Sequence, residues 1–405
     1  MLFPNWTRLM SRRIRRSRRP MDVAAVELLE KRTVPTVTAS GSSVVTIIVT
    51  ADETVNVEDD GLGHLQVTDG ASVVNAQIAA LAIPTNFIQS LTVKATSSSA
   101  INVINLGGMT PGAFVLLSSL TVKAGGGADT ITGSPLTTVN EVLFGGRGDD
   151  IINGGGGSDV LNGEEGNDIL TGDSGDDTLL GGSGSDNLDG GDGNDNLKGQ
   201  IGDDVITGNA GTTVTTDDDR IDGSDGNDTI TGGDGSDNIL AGKGDDVVRG
   251  GGGTGTDGND TIDGGAGLDV IQGDDGDDSI NGGDGNDLIG GNAGDDVISG
   301  GNGNDRIDGG DDNDVLAGNA GNDTMLGGDG NDSLSGGSNN DVIAGQAGID
   351  TVNGNGGSDT VLGGSGGSSG AADPGDLIVG VPSEQNETSN LVFGANIGWT
   401  ALVNL

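Results

Sequence analysis

An all-β solenoid of parallel strands is the fold class this sequence predicts, and three observations predict it. First, a nine-residue phrase, G-G-x-G-x-D-x-U-x with U an aliphatic residue, recurs about twenty-three times between Gly145 and Leu362. Second, the 405 residues include 82 Gly but only 5 Phe, 2 Trp and no Tyr or Cys. So few large apolar side chains cannot fill one globular core, whereas a repeat architecture buries each unit's thin face against its neighbours. Third, the aliphatic residues keep strict spacing, which argues against the disorder that a Gly-rich acidic chain would otherwise adopt.

Gly282-Gly283-Asp284-Gly285-Asn286-Asp287-Leu288-Ile289-Gly290 is a clean copy of the phrase. Its sixth-position acids run Asp150, Asp159, Asp168, Asp177, Asp186, Asp195 and Asp204, then Asp219, Asp228, Asp237 and Asp246. After a second interruption come Asp260, Asp269, Asp278, Asp287, Asp296, Asp305, Asp314, Asp323, Asp332, Asp341, Asp350 and Asp359. Eighth positions hold Ile152, Leu161, Leu170, Leu179, Leu188, Leu197, Ile206 and Ile221, and Met325 stands in for the usual Leu or Ile. The spacing predicts a loop over positions one to six and a short strand over seven to nine. Early glycines let the backbone take positive φ and turn tightly, aiming carbonyl oxygens inward. Asp312 and Asn339 replace the fourth-position Gly, and both types tolerate a left-handed backbone. Extra residues around Thr212–Asp217 and Gly253–Asp257 are expected in surface loops, with the register resuming after each.

On this phrase the chain resembles the RTX, or haemolysin-type calcium-binding repeat, family over more than half its length. The resemblance implies a right-handed parallel β-roll. Two repeats would make one coil, and Ca²⁺ ions would sit between successive coils on both flanks. The sixth-position Asp residues are then the expected metal ligands, supplemented by carbonyl oxygens to reach the six to eight oxygens calcium takes. Charge agrees with that cofactor. Residues 1–32 hold nine Lys and Arg against Asp22, Glu27 and Glu30, a balance of +6, so the rest must carry −52 for the total of −46. Such a field repels nucleic acid and anionic membrane, concentrates cations, and destabilises a compact metal-free state. Oxygen ligands without Cys or His clusters favour calcium over zinc.

Outside the array the organisation reads as follows. Residues 1–35 are expected to be a basic leader or disordered tail. Ser11-Arg12-Arg13-Ile14 resembles the start of a twin-arginine signal but lacks an apolar region behind it. Leu28-Leu29-Glu30-Lys31-Arg32-Thr33-Val34 resembles a short leader motif of large exported bacterial proteins. Residues 36–124 hold β-branched runs such as Val44–Val49 and are read as an irregular β-solenoid or β-sandwich that caps the N-terminal edge of the roll. Ser90-Leu91-Thr92-Val93-Lys94-Ala95 returns as Ser119–Ala124 within that segment. Residues 125–379 form the roll, with Gly125–Ile131 as a first, isolated repeat, and 380–405 a short C-terminal cap or secretion signal. No run approaches the 18 apolar residues of a membrane span.

Catalytic readings fail on chemistry. The sequence has one histidine, His64, best read as a turn or surface residue. Gly363-Gly364-Ser365-Gly366-Gly367 matches a nucleophile elbow literally, but no strand-turn-helix context or downstream His accompanies it. Phosphate-loop glycine patterns occur only inside the repeat. Third positions never hold Thr, which removes a flat ice-binding row there, and aromatic platforms for glycan or nucleic acid are missing. The expectation is therefore no enzyme, but a secreted or cell-surface structural protein whose array folds on binding about one Ca²⁺ per repeat. Its partners would be calcium ions and cell-surface or matrix components. The alternative is a carrier module of an RTX exoprotein whose activity lies on another chain.

Overall fold

The computed structural model describes residues 36–39, 44–49, 54–59, 65–69, 72–73, 89–95, 102–109, 117–209, 217–252, 258–362 and 377–379. The leader over 1–35, His64, Gly363–Gly370 and the 380–405 cap lie outside the described residues. Among the described residues every regular element is a strand, and the strands form two 17-stranded sheets. None of them is a helix that could cross a membrane.

One coil shows how the phrase folds. Strand Ser279–Asp284 lies in the first sheet, Leu288–Ala293 in the second, and Val297–Asn302 returns to the first. Ser279–Asp284 pairs in parallel with Val297–Asn302, and Leu288–Ala293 with Arg306–Asp311. Two repeats therefore close one coil. Most strands are longer than the spacing predicts, running from position seven through position three of the next copy, whereas Val205–Thr207, Thr229–Thr231, Val247–Arg249 and Thr360–Leu362 keep to positions seven to nine. The turn shrinks to positions four to six. Pairing skips the first-position Gly and resumes at positions two and three, as in Ser279, Ile280, Asn281, then Gly283 and Asp284. The backbone bends at that unpaired glycine without leaving the sheet.

Burial alternates along each strand, so the eighth-position side chains from both sheets meet in one aliphatic column. Ile280, Ile289, Ile298, Ile307, Leu316 and Met325 are all at most 2% exposed. Leu197 stays opposite Ile221 across the first insertion, and Ile239 opposite Ile262 across the second. The array is one continuous rod. Asp312 and Asn339 adopt φ of 79° and 81°, so the fourth-position turn persists without Gly.

The stacking does not begin at Gly145. Val44–Val49, Ser90–Ala95, Ser119–Gly126 and Glu141–Arg147 pair successively in parallel in the first sheet. Thr54–Asp59, Val103–Asn105, Thr130–Thr132 and Ile151–Gly156 do so in the second. The N-terminal region is thus solenoid with longer coils. At its far end the chain reverses: Thr36–Ala39 lies antiparallel on Val44–Val49 and Leu65–Asp69 on Thr54–Asp59. Antiparallel strands there cover edges that would otherwise offer unpaired backbone to another chain.

Candidate metal centre

The sixth-position carboxylates line the two flanks where the chain passes between sheets. One column runs Asp150, Asp168, Asp186, Asp204, Asp228, Asp246, Asp269, Asp287, Asp305, Asp323, Asp341 and Asp359. The other runs Asp159, Asp177, Asp195, Asp219, Asp237, Asp260, Asp278, Asp296, Asp314, Asp332 and Asp350. All are at most 3% exposed except half-buried Asp359 in the final turn. A small first-position residue, Gly in nearly every copy and Ala241 before Asp246, leaves room for this. Gly163 has no Cβ, and the Asp168 Oδ2 occupies the space where one would fall, next to the Gly181 carbonyl oxygen of the following coil. Each carboxylate is therefore folded inward over its own turn.

Within a column, neighbouring coils are tied through these groups. The Asp150 N–H donates to Asp168 Oδ1 at 2.7 Å, Asp168 to Asp186 at 2.8 Å, and Asp287 to Asp305 at 3.0 Å. On the other flank Asp159 donates to Asp177 at 2.6 Å and Asp278 to Asp296 at 2.9 Å. Oδ1 thus has a partner, but Oδ2 does not. In Asp150, Asp159, Asp168, Asp177, Asp186, Asp195 and many below them, Oδ2 is buried without a hydrogen-bond partner. Burying a carboxylate oxygen in that way disfavours its charged form. Burial, reinforced by neighbouring aspartates, raises Asp150 from 3.8 to about 7 and Asp159 to about 8. Burial likewise raises Asp219 to about 9, aided by Asp237 and Asp195.

Repeated buried carboxylate oxygens suit a hard divalent cation. A cation would supply the missing partner for Oδ2 and restore the charged form. Among the described residues no group of three or more His, Cys, Asp or Glu side chains is placed to hold one ion by itself. The remaining oxygens would have to be backbone carbonyls, of which Gly181 beside Asp168 Oδ2 is one. That donor set is all oxygen, which favours calcium over zinc.

The family model for the RTX calcium-binding nonapeptide repeat matches ten stretches between residues 121 and 368, among them 137–170, 180–214, 254–289 and 308–343. Together they cover more than half of the chain. The protein belongs to this RTX repeat family. No curated protein matches the chain. Its RTX array is a calcium-binding repeat fold, so calcium is the ion these turns are equipped to take.

The RTX columns extend beyond the residues that the spacing singles out. Asp129, from the repeat that reads as isolated, heads the first column, and its N–H donates to Asp150 Oδ1 at 2.6 Å. Asn102 continues it, donating its N–H to Asp129 Oδ1 at 2.6 Å. Glu141 heads the second column and donates to Asp159 Oδ1 at 2.7 Å. Its own carboxylate is held by the Ser134 hydroxyl and N–H. Glu141 is raised to about 7 by burial, against the lowering of its Ser134 bonds. A signal was present: Glu141-Val142-Leu143 is the D-x-U triplet with one extra methylene.

Fifth positions form a second ladder that the phrase hides under x. The Asn167 N–H donates to Asp149 Oδ1, Asn304 to Asn286, and Asn322 to Asn304, at 2.6–2.9 Å. This ladder runs opposite to the sixth-position one. Composition could have revealed it, since every repeat but those with Leu268 and Ile349 has Asp, Asn or Ser there. At the first insertion the Asp217 side chain joins in, its Oδ1 accepting the Gly193 N–H at 2.6 Å.

Proposed function

We propose that this is an exported, calcium-ordered structural protein, whose RTX array folds when each turn takes up about one Ca²⁺. The observation that carries this reading is the repetition of a buried Oδ2 without a partner on both flanks. The 23 sixth-position aspartates from Asp150 to Asp359 would each contribute a carboxylate, with carbonyl oxygens completing the shell. Calcium would bridge successive coils and neutralise charge that otherwise pushes them apart. One eighth-position aliphatic side chain per repeat contributes only about 1.5–3 kcal/mol. Ordering nine residues costs on the order of 9 kcal/mol in backbone entropy. Ion binding therefore becomes a large part of the folding free energy.

That dependence fits an extracellular site of action. Extracellular calcium modules work at roughly 10⁻⁴–10⁻³ M, far above cytosolic levels, so the chain would stay unfolded inside and order outside. Export is consistent with the absence of Cys and with the family's usual setting. Nothing in the two columns resembles acid–base machinery, since the same carboxylate recurs without distinction in every turn. The role supported is structural, without catalysis.

Circular dichroism of the full-length chain tests the reading. In excess chelator the β signal of the roll should be absent, and it should appear cooperatively as calcium is added. A fully formed β signal in chelator would sink the proposal.

A further inference from the structure

The repeated segment Ser90–Ala95 and Ser119–Ala124 carries no acidic residue, and it places two lysines side by side. Lys94 and Lys123 are in register on neighbouring strands of the first sheet, both exposed and outward. Other described cations sit against carboxylates: Arg147 on Glu165 at 3.2 Å, Lys198 on Asp222 at 2.7 Å, and Lys243 on Asp225. Arg220, Arg249 and Arg306 have Asp222, Asp274 and Asp308 close by. Lys94 and Lys123 make no ion pair with a described residue. Lys123 Nζ instead lies 4.3 Å from the centre of the Phe144 ring. Two adjacent cations without an acid among the described residues, on a chain of net charge −46, point to an acidic surface outside their own neighbourhood.

Strand pairing makes them part of one outward row on the first sheet. It begins Lys94, Lys123, Phe144, Asn162, Leu180. It continues Lys198, Asp222, Leu240, Asp263, Asn281. The second half read backwards complements the first half read forwards. Lys94 meets Asn281, Lys123 meets Asp263, Phe144 meets Leu240, Asn162 meets Asp222, and Leu180 meets the stem of Lys198. Both lysines would land on a groove of about 470 Å³, walled by Asp263, Asn281 and Asp284 and floored by Gly265 and Gly283. Asp263 lies in the same row as the lysines, while Asp284 stands three residues further along its strand, opposite Ala266.

We infer that the first sheet is a self-complementary face on which a second copy of this chain docks in antiparallel orientation. A two-fold axis between the Leu180 and Lys198 strands generates every pairing above twice, as an isologous contact requires. Ten strands at about 4.8 Å spacing and about 20 Å width give a face of about 43 by 20 Å. That is close to the ~800 Å² per partner of a stable interface. The adjoining seventh-position row brings no like charges together: Thr121 meets Thr261, and Val160 meets the single cation Arg220. The outer pairs Arg147–Glu165 and Lys243–Asp225 are each neutral within one copy but oppose each other like to like, which limits the affinity. Two rods of this net charge repel, so the contact rests on the calcium-ordering reading and forms only once calcium has neutralised the columns.

Sedimentation equilibrium of the full-length protein in calcium, with circular dichroism alongside, tests this. Wild type should dimerise, and Lys123→Asp or Asp263→Lys alone should weaken the dimer at least about 100-fold, since each places like charges together twice. Mixing the two variants, or combining them in one chain, restores opposite charges at both contacts and should restore dimers. Chains that are folded in calcium yet monomeric at every concentration would overturn the inference while leaving the calcium reading intact. So would dimers indifferent to both substitutions, or monomers that instead capture an acidic polysaccharide through Lys94 and Lys123. Loss of the β signal in calcium would count against the calcium reading instead.

Discussion

The N-terminal coils and the nonapeptide coils share two sheets but differ in what fills them. Between Ser90 and Gly126 the interior holds Leu91, Val93, Ile104, Leu106, Met109, Leu117, Leu120 and Val122, each at most 5% exposed. A nonapeptide coil of two repeats buries two aliphatic side chains and two aspartates, such as Ile280 and Ile289 with Asp278 and Asp287. The first kind of coil is held by ordinary apolar burial, each such side chain contributing about 1.5–3 kcal/mol. The second kind replaces half of that filling with carboxylates, which favour the fold only when an ion or a proton accompanies them. On the calcium-ordering reading proposed above, one continuous pair of sheets would join a calcium-independent end to a calcium-dependent body.

Removing calcium should expose that difference most strongly. In excess chelator, hydrogen exchange on the full chain should remain slow at Leu91–Ala95 and Leu120–Ala124 and become fast from Ile151 to Leu362. Solenoid coupling is nearest-neighbour, so the boundary should fall within a coil or two of Glu141. Uniform loss of protection, or uniform retention, would break the comparison. Acid should act in the opposite sense to chelator. Burial raises the column aspartates, Asp168 and Asp305 to about 6, Asp150 and Asp314 to about 7, and Asp159 and Asp195 to about 8. Raised folded-state values mean the calcium-free roll binds more protons than the unfolded chain. Its stability is greatest below about pH 4 and declines as pH rises through about 6 to 8. A chelated sample should thus regain β signal on acidification, with little change in the N-terminal coils. In calcium the dependence reverses, because protons and the ion compete for the same carboxylates.

How much of this was legible in the sequence follows from what each position must satisfy. The repeat and its interior were legible because the first-position glycine, the sixth-position aspartate and the eighth-position aliphatic residue each answer a constraint that recurs every nine residues, whereas the two-repeat coil came only from the family resemblance. The strand boundaries were less so. Glycines at positions one and two read as loop by composition, yet position two stays paired in the sheet with positive φ, as Gly283 does at 109°. Glu141 was hidden because a longer acid breaks the literal pattern while keeping its geometry. The fifth-position ladder was hidden because Asp, Asn and Ser look interchangeable with any polar residue until the coil register aligns them. The outward complementarity of the first sheet cannot be read before strand pairing places Lys123 and Asp263 in one row.

A core truncation sharpens the same comparison at the scale of one residue. Leu120→Ala removes a fully buried side chain from a coil with no sixth-position acid of its own strand. It should cost about 2–5 kcal/mol in urea unfolding, by the same amount in chelator and in calcium. Ile289→Ala, in the roll, should instead appear as a higher calcium midpoint, because folding and binding there are one process. If Leu120→Ala also moved the calcium midpoint as far as Ile289→Ala does, the two ends would be a single cooperative unit.

The fifth-position ladder gives the smallest expected effect and the most local one. Asn313 accepts from the Asn331 N–H at 2.9 Å and from its side chain at 3.0 Å, while its own N–H donates to Asp295 Oδ1 at 2.9 Å. Asn313→Ala deletes the acceptor for Asn331, but the site is exposed and water can replace it, so the cost should be about 0.5–1.5 kcal/mol. The chain already contains such a break: Leu268 donates its N–H to Asp245 Oδ1 at 2.9 Å but has no oxygen to offer the next coil. Strands on both sides of Leu268 nonetheless keep their register, Val270 opposite Val247 and opposite Leu288. The substitution should therefore raise the calcium midpoint slightly and speed exchange only at the amide of Asn331. A larger or distant effect would mean that the exposed ladder, and not the buried carboxylate columns alone, transmits order from coil to coil.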